Sequence, residues 1–534
     1  MKLEDFQIEL TRLPGAIPVW HGRVDAQQWR TACQKVHDKG GRLVALWGTD
    51  NSDRAEGYAV HAALTVHSGL LIIKLPVHGE SFPDISRVFP AAGRMQRAIY
   101  DLFGVSAENA PDIRKWLRHA AWPEDVFPLR KNVSSDFKDP QLQLDSARAA
   151  QHETRDSKPE TEQMDDYPFV QVGGEGVHEI PVGPVHAGTI EPGHFRFSIV
   201  GEGVLRLEER LGYKHKGIEK RFEQMNLMQG ARLAGRISGD STVAYAWAYA
   251  MAVESACGLS PPPRALWLRA LALERERVGQ HLWDLGFLGN DAGLAFGLAQ
   301  FSCLREDMLR TNAALFGHRY LMDLVVPGGV ARDIDRDGIA RLHQEIDAVR
   351  DTVKLLKDIY DEHPGLQDRF IGAGRVKPEL AERLGLTGMA GRASGMAWDL
   401  RAQFPPDPYD RFEVRMATHR NGDVAARATV RFEEISESLR LTRLILSGLP
   451  AADIAAPVPD AREGAFGIGW VEGWRGEVLI ALETGANNSI RRLHPHDPSW
   501  QNWPLLERAV LGNIVPDFPL INKSFNLSYS GHDL

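Results

Sequence analysis

Four stretches of this 534-residue chain carry side chains able to do chemistry. The first is Ser238-Gly239-Asp240-Ser241, a small polar knot directly ahead of an apolar run that continues to Val253. The second is a turn-rich entry, GPVHAGTIEPGHFRF, with His186 and His194. The third is the C-terminal SFNLSYSGHDL, with Ser528, Tyr529 and His532, and the fourth is LHPHDP, with His494 and His496. Hydroxyls flanking a carboxylate suit proton relay, with Asp240 as the acid. Serine and aspartate before an apolar run also suit a buried helix start, where side-chain oxygens satisfy orphan N–H groups. His186 reads either as a ligand-binding histidine or as a satisfied loop histidine. His494 and His496, beside a proline with no further ligand placed near them, read as surface residues rather than a metal site.

Composition narrows the setting. With 43% hydrophobic and 25% charged residues, the chain is globular and long enough for two or three domains. A formal net charge of −9 argues against a nucleic-acid partner, which wants a basic surface. Cys33, Cys257 and Cys303 lie far apart and no CxxC occurs. A cluster or thiolate zinc site held by this chain is therefore excluded, and a reducing compartment is expected. MKLEDFQIEL lacks an export pattern, and Ser241 to Val253, the longest uncharged apolar run, falls short of the roughly 20 residues a membrane span needs.

The elements that must position these groups divide at a linker. Residues 1–132 are expected to be α+β. LVALWG (43–48), YAVHAALTV (58–66) and LLIIKLP (70–76) are strand-like, with His67-Ser68-Gly69 as a hairpin turn and helices at Gln27–Lys39 and Gly93–Phe103. Residues 133–168 are polar, with a short helix possible at Gln141–Gln151. Residues 169–534 are expected to form one large, mainly helical domain. Its helices are the apolar run, a long one opened by the prolines at 261–263, and Ala299–Asp323, Asp335–Asp361 and Val424–Ser447. Tyr245 and Tyr249 are expected to pack within the apolar helix. Neither GEGV (174–177) nor GEGVLRL (201–207) is a dinucleotide fingerprint, so any NAD linkage belongs to another subunit.

Several passages carry a resemblance. GPVH, GHFRF, YKHKGIEK and RISGDS, followed later by RASGMAWDLR, PYDRFEVRM, GDVAARATVRFEE and VEGWRGEV, resemble one superfamily. It holds the large subunits of membrane-bound nickel–iron hydrogenases of the formate hydrogenlyase and hydrogenase-4 type, and the D subunit of NADH:quinone oxidoreductase (complex I). AIYDLFG through PLRK resembles the end of the C subunit of complex I, on Tyr100, Asp101, Phe103, Gly104, Arg114, Trp122, Pro128, Leu129, Arg130 and Lys131, with Ala98 where that family has an acid. The chain is thus similar to a C–D fusion. The resemblance implies a strand after PYD and a turn at VEGWRGEV.

The resemblance also fixes what is missing. In the hydrogenases, RxCGxC and a closing CxxC hold nickel and iron; here Ser238 and Ser241 occupy the first pair of positions, and Ser528 and Gly531, after Asn526 and Leu527, the second. Hard hydroxyls cannot replace soft bridging thiolates, so no nickel–iron centre, no metal and no processed C-terminal tail are expected. For the quinone pocket of the D subunit, His186 matches a head-group histidine, His194 falls a few residues late, and Gly239 stands where the family has tyrosine. Tyr529 and His532 are expected to line the vacated pocket. The implied assembly is a hetero-oligomeric oxidoreductase complex that passes electrons toward quinone. This chain would lie peripherally on the cytoplasmic side, between a small iron–sulfur protein resembling the B subunit of complex I and antiporter-like membrane subunits. The alternative is a non-catalytic scaffold or coupling subunit.

Overall fold

The computed structural model describes residues 3–119, 122–134, 167–187 and 190–534. The N-terminal half is built on a five-stranded sheet in the order β1-β2-β5-β4-β3: β1 (Thr11–Arg12), β2 (Val19–Arg23), β3 (Leu43–Asp50), β4 (Tyr58–Val66) and β5 (Gly69–Val77). All neighbours are antiparallel except β2 and β5. Helix α1 (Ala26–Asp38) begins in a capping box, Asp25 with Gln28. Trp29, Ala32, Cys33 and Val36, three and four residues apart, form its buried face. Helix α2 (Ala92–Phe103) stops at Gly104, whose positive φ suits glycine. β6 (Ser81–Pro83) and β7 (Ser106–Glu108) pair nearby, and the expected α+β class holds.

The C-terminal half carries the expected long helices α3 (Thr242–Cys257), α4 (Pro263–Asp291), α5 (Ala295–Phe316) and α6 (Arg336–Glu362), then a short unexpected one, α7 (Gly388–Ala393), and the expected α8 (Val424–Gly448). It closes with α9 (Ser499–Ala509), α10 (Phe518–Phe525) and α11 (Tyr529–Asp533). Between them lie three small antiparallel sheets that the helical reading passed over. They are β8 (Val177–Val182), β9 (His194–Val200) and β10 (Gly203–Arg210); β11 (Val325–Val326) with β12 (Gly329–Val330); and β13 (Phe466–Glu472), β14 (Glu477–Thr484) and β15 (Ile490–His496). The strand expected after PYD is absent. Tyr409–Arg411 is a single tight turn, and the next residues find other partners: Arg415 N–H donates to Glu437 and His419 N–H to the Arg392 carbonyl. The VEGWRGEV turn is where it was expected, linking β13 to β14. The suggested helix at 141–151 lies outside the described residues.

The halves meet along a seam of charge pairs and stacked rings. Arg42 reaches Glu477 (2.8 Å), Arg54 reaches Glu483 (2.6 Å), and Arg491 reaches back to Asp53 (2.6 Å). Arg94 clamps Glu209 (3.0 Å) and Glu507 (2.6 Å) together. Lys131, at the end of PLRK, pairs with Glu223 (2.9 Å) and donates to the Arg491 carbonyl (2.8 Å). Within the last residues of the expected 133–168 linker, Tyr167 is buried against the guanidiniums of Arg114 and Arg210, 4.9 and 4.3 Å from its ring centre.

His494 and His496 belong to this seam, which overturns the surface reading. They lie in β15, only 7% and 1% exposed. Trp47 stacks between His61 (5.0 Å) and His494 (5.3 Å), and Nδ1 of His494 is 2.9 Å from Glu219. LHPH is a strand because its ladder with β14 continues through Pro495, opposite Ile480. His532, expected in the pocket, is also here, stacked on Trp500 at 4.0 Å. Burial lowers the pKa of His494, His496 and His532 alike, with His496 brought to about 3.

Such a seam should hold without the covalent link. A protease site placed within 135–166 and cut should leave two fragments that co-elute in gel filtration without any partner protein. Free separation at moderate salt would show that these contacts do not hold the halves.

Candidate functional site

The site is set by how closely α3 approaches a hairpin. Ala244, Ala248 and Ala252 recur every four residues and form one face of α3. Against them lie Gly473, Gly469 and Gly467 of the β13–β14 hairpin. A Cβ on Gly469 would overlap the Ala248 carbonyl, one on Gly467 the Ala252 carbonyl, and one on Gly473 would come 3.2 Å from Ala244 Cβ. Small residues on both sides let the backbones touch. In consequence the Ser238–Ser241 knot, at the start of α3, meets the Trp474–Arg475 turn.

There the groups form a clasp. Arg475 makes two bonds to Asp240, with one guanidinium nitrogen 2.8 Å from Oδ1 and the other on Oδ2, and a further one to Ser241 Oγ (3.2 Å). Trp474 Nε1 donates to the Asp240 carbonyl (2.9 Å). Ser238 Oγ donates to Asp240 Oδ1 (2.8 Å) and lies 2.9 Å from Ser528 Oγ. With the Ser238 proton committed to the carboxylate, Ser528 is the donor of that second bond. Ser528 Oγ in turn accepts from Gly531 N–H (2.9 Å). Burial raises the Asp240 carboxyl, but the Arg475 charge and these hydrogen bonds outweigh it, so its pKa falls below the ordinary value. Asp240 is therefore a paired carboxylate. Gly239 contributes no side chain and sits beside Met322.

Helix capping falls to a residue the sequence did not point to. Neither Ser241 nor Asp240 caps α3. Glu276, from α4, accepts from Val243 N–H (2.7 Å) and Ala244 N–H (3.2 Å), and burial raises its carboxyl to about 8 despite those bonds. No local pattern identifies a cap supplied by another helix. Tyr245 and Tyr249 pack as expected, their hydroxyls donating to Asp497 (2.7 Å) and to the Leu227 carbonyl (2.7 Å).

Beside the clasp opens a pocket of about 380 Å³, lined by His186, Val182, Ile190, Phe287, Asn290, Phe518, Lys523, Asn526, Leu527 and Tyr529. It abuts the residues on either side of Ser528. Nε2 of His186 lies 2.7 Å from the Gly193 carbonyl, which can only accept, so Nε2 carries the proton and Nδ1 is the nitrogen left for a ligand. His194 is not brought in. Its Nδ1 donates to the Gly183 carbonyl (3.1 Å), and Nε2 accepts from Arg196 (3.4 Å). Its role is to tie the entry turn to β9. Tyr529 is in the lining, as the resemblance implied, and burial raises its phenol.

These positions do not fit a nickel–iron group. Three hydroxyls and a glycine offer no soft donor. Ser238 and Ser528 bond to one another, Arg475 occupies Ser241, and a Cβ on Gly531 would overlap the Asp497 carboxylate and come 2.8 Å from the Tyr245 hydroxyl. Gly531→Cys should therefore cost about 1–3 kcal/mol of stability by overpacking, seen as a lower denaturation midpoint. An unchanged midpoint would mean that the tail has room for a ligand side chain.

Comparison with known proteins agrees with this architecture. Residues 22–138 match the family pattern of the respiratory-chain NADH dehydrogenase 30 Kd subunit, and residues 291–464 that of the 49 Kd subunit. Formate hydrogenlyase subunit 5 of Escherichia coli is 30% identical over 93% of this chain and 85% of its own length. The C/D subunit of NADH-quinone oxidoreductase from Bacteroides fragilis is 28% identical, over 83% of this chain and 84% of its own. A chain in the structure of the membrane-bound sulfane sulfur reductase, an archaeal respiratory membrane complex, superposes with a TM-score of 0.63 at 25% identity, covering 69% of this chain and 100% of that one. The chain belongs to the superfamily of fused C/D-like proteins shared by complex I and the membrane-bound, formate hydrogenlyase-type hydrogenases, and it has serine or glycine at the nickel-ligand positions.

Proposed function

We propose that this chain is the peripheral large subunit of a membrane-associated oxidoreductase complex and that the His186 pocket receives a quinone or a similar redox-active ring. The observation that carries this reading is the pocket. It has apolar walls, a histidine with one ring nitrogen left over, and a volume within the usual range for small-molecule sites. Nδ1 of His186 accepts from a hydroquinone hydroxyl, or donates to a quinone carbonyl once protonated; Asn290, Asn526 and Lys523 supply further polar contacts. Electrons would come from an iron–sulfur cluster on a small partner protein, since this chain has no set of cysteines for one. Among the described residues no helix is long and apolar enough to cross a membrane. In this reading antiporter-like partners provide the membrane part, and this chain lies on its cytoplasmic side. The chain itself holds no nickel–iron centre in this reading.

The clasp favours a second reading. With Ser238, Ser241, Ser528 and Asp240 all engaged, the old metal position is filled, as suits a coupling subunit that turns nothing over itself.

Two measurements test these readings, the first their shared lack of a metal centre and the second the choice between them. Elemental analysis of the purified protein should find neither nickel nor iron in stoichiometric amount, and about one nickel per chain would refute the metal-free reading. In membranes carrying the assembled complex, His186→Ala should weaken quinone binding about 5- to 150-fold, the loss of one buried hydrogen bond at ~1–3 kcal/mol. Unchanged donor-dependent quinone reduction in that variant would remove the pocket from the chemistry and leave the coupling role.

A further inference from the structure

Behind the Trp474–Arg475 turn lies a charge network that the clasp and pocket do not use. Its carboxylates are Glu274 on α4, Asp399 in the loop after α7, Glu434 on α8 and Glu472 at the end of β13. Its guanidiniums are Arg277 on α4, Arg392 on α7 and Arg401. Every one of these residues is at most 3% exposed. Arg401 binds Asp399 (2.6 Å) and Glu274 (3.0 Å); Arg392 binds Glu434 (2.7 Å) and Glu472 (2.8 Å); Arg277 lies 3.5 Å from Glu434. Four carboxylates face three guanidiniums, which leaves one negative charge without a partner in a dry interior.

The neighbours do not supply the missing charge. Glu477 on β14 is already paired with Arg42, and Asp284 with Arg431 (2.9 Å). Tyr409 and Ser438 donate neutral hydroxyls to Glu274. His281 has Nε2 2.8 Å from Glu434 and an Nδ1 with no hydrogen-bond partner, but burial lowers its pKa and keeps the ring neutral. An uncompensated buried charge is costly enough that a group takes up a proton instead.

We propose that Glu472 is a buried proton-binding site, the carboxyl that neutralises this network. Among the carboxylates it is the one pressed by two others, Asp399 and Glu477, with Arg392 as its single paired guanidinium. Burial first, and then those charges, raises it to about 7. Arg277 donates to the carbonyls of Glu472 (2.7 Å) and Gly473 (3.1 Å), the start of the turn that aims Arg475 at Asp240. Glu472 thus sits at the start of the turn that Arg277 holds and that carries Arg475.

The test is infrared difference spectroscopy of the whole protein, following the carbonyl stretch of a protonated carboxylic acid through a pH titration. A component of that band should be present on the acid side, disappear with a midpoint of about 7, and be lost in Glu472→Gln, while the Glu276 component, raised to about 8, remains. Stability should follow with a definite sign. The folded pKa lies above the ordinary 4.5, so the native state binds the extra proton, and stability falls as pH rises from about 4.5 to about 7 and then levels. Glu472→Gln should flatten that slope. If that variant fails to fold, Glu477→Gln serves, because removing a neighbouring negative charge should move the wild-type midpoint to lower pH. Absence of a component with that midpoint, its survival in Glu472→Gln, a midpoint untouched by Glu477→Gln, or a doubly protonated His281 in nitrogen NMR would each overturn the assignment.

Discussion

The rest of the site depends on one close approach, the alanine face of α3 lying against the glycines of β13. Neither partner alone sets it. Alanines four apart leave a groove along the helix, and Gly467 and Gly469, with alternate side chains missing from one face of the strand, let the hairpin backbone enter it. Once seated, the hairpin has no freedom in register, since a shift of one residue would drive Ile468 or Trp470 into the helix. The turn that follows then presents Arg475 to Asp240 at the helix start. A single added methyl on Gly469 would separate the elements and lose the clasp without altering any polar residue.

Around that contact the fold places an unusual amount of charge out of water. A buried ion pair adds little net stability over apolar packing, yet breaking one by removing a partner costs about 3–5 kcal/mol. The network behind the turn is therefore better understood as a constraint on arrangement than as a source of stability. Arg392, Arg401 and Arg277 each bind groups from separate elements, so α4, α7, α8 and β13 assemble in one arrangement or leave charges stranded. The seam between the halves works more gently, with part-exposed pairs around a stack of neutral rings.

Much of this was legible in the sequence, and the gaps have physical reasons. The long helices showed because their apolar spacing is local; α3, α6 and α8 fall within a few residues of the expected spans. In the first half β3, β4 and β5 showed because they are long and apolar; β1 and β2, two and five residues long, did not. β13 and β15 went unread because glycines interrupt the one and arginines and histidines the other, whereas β14 carries an unbroken apolar run from Val478 to Leu482 that local pattern could have found. The same cause misplaced His494 and His496: Trp47, from the other half, stacks on His494, and Trp500 stacks on His496. Within the site, Ser238, Ser241, Ser528 and Asp240 do converge as the resemblance implied. Glu276 and Arg475 lie on other elements, and no spacing rule could assign them to it.

The exchange of thiolate for hydroxyl explains the character of what converges. A thiolate cage is held by its metal, and its ligands need no bonds to one another. Hydroxyls at the same backbone positions must find partners in the protein, because a buried polar atom left alone costs about 1–3 kcal/mol. Ser238 and Ser528 find each other, and Asp240 with Arg475 completes the set, so the polypeptide supplies the cross-link between α3 and the C-terminal tail. Room for a ligand lies to one side of this set, in the pocket between His186 and Tyr529. The cross-link between Ser238 and Ser528 thus follows from one rule, that buried polar groups must be satisfied.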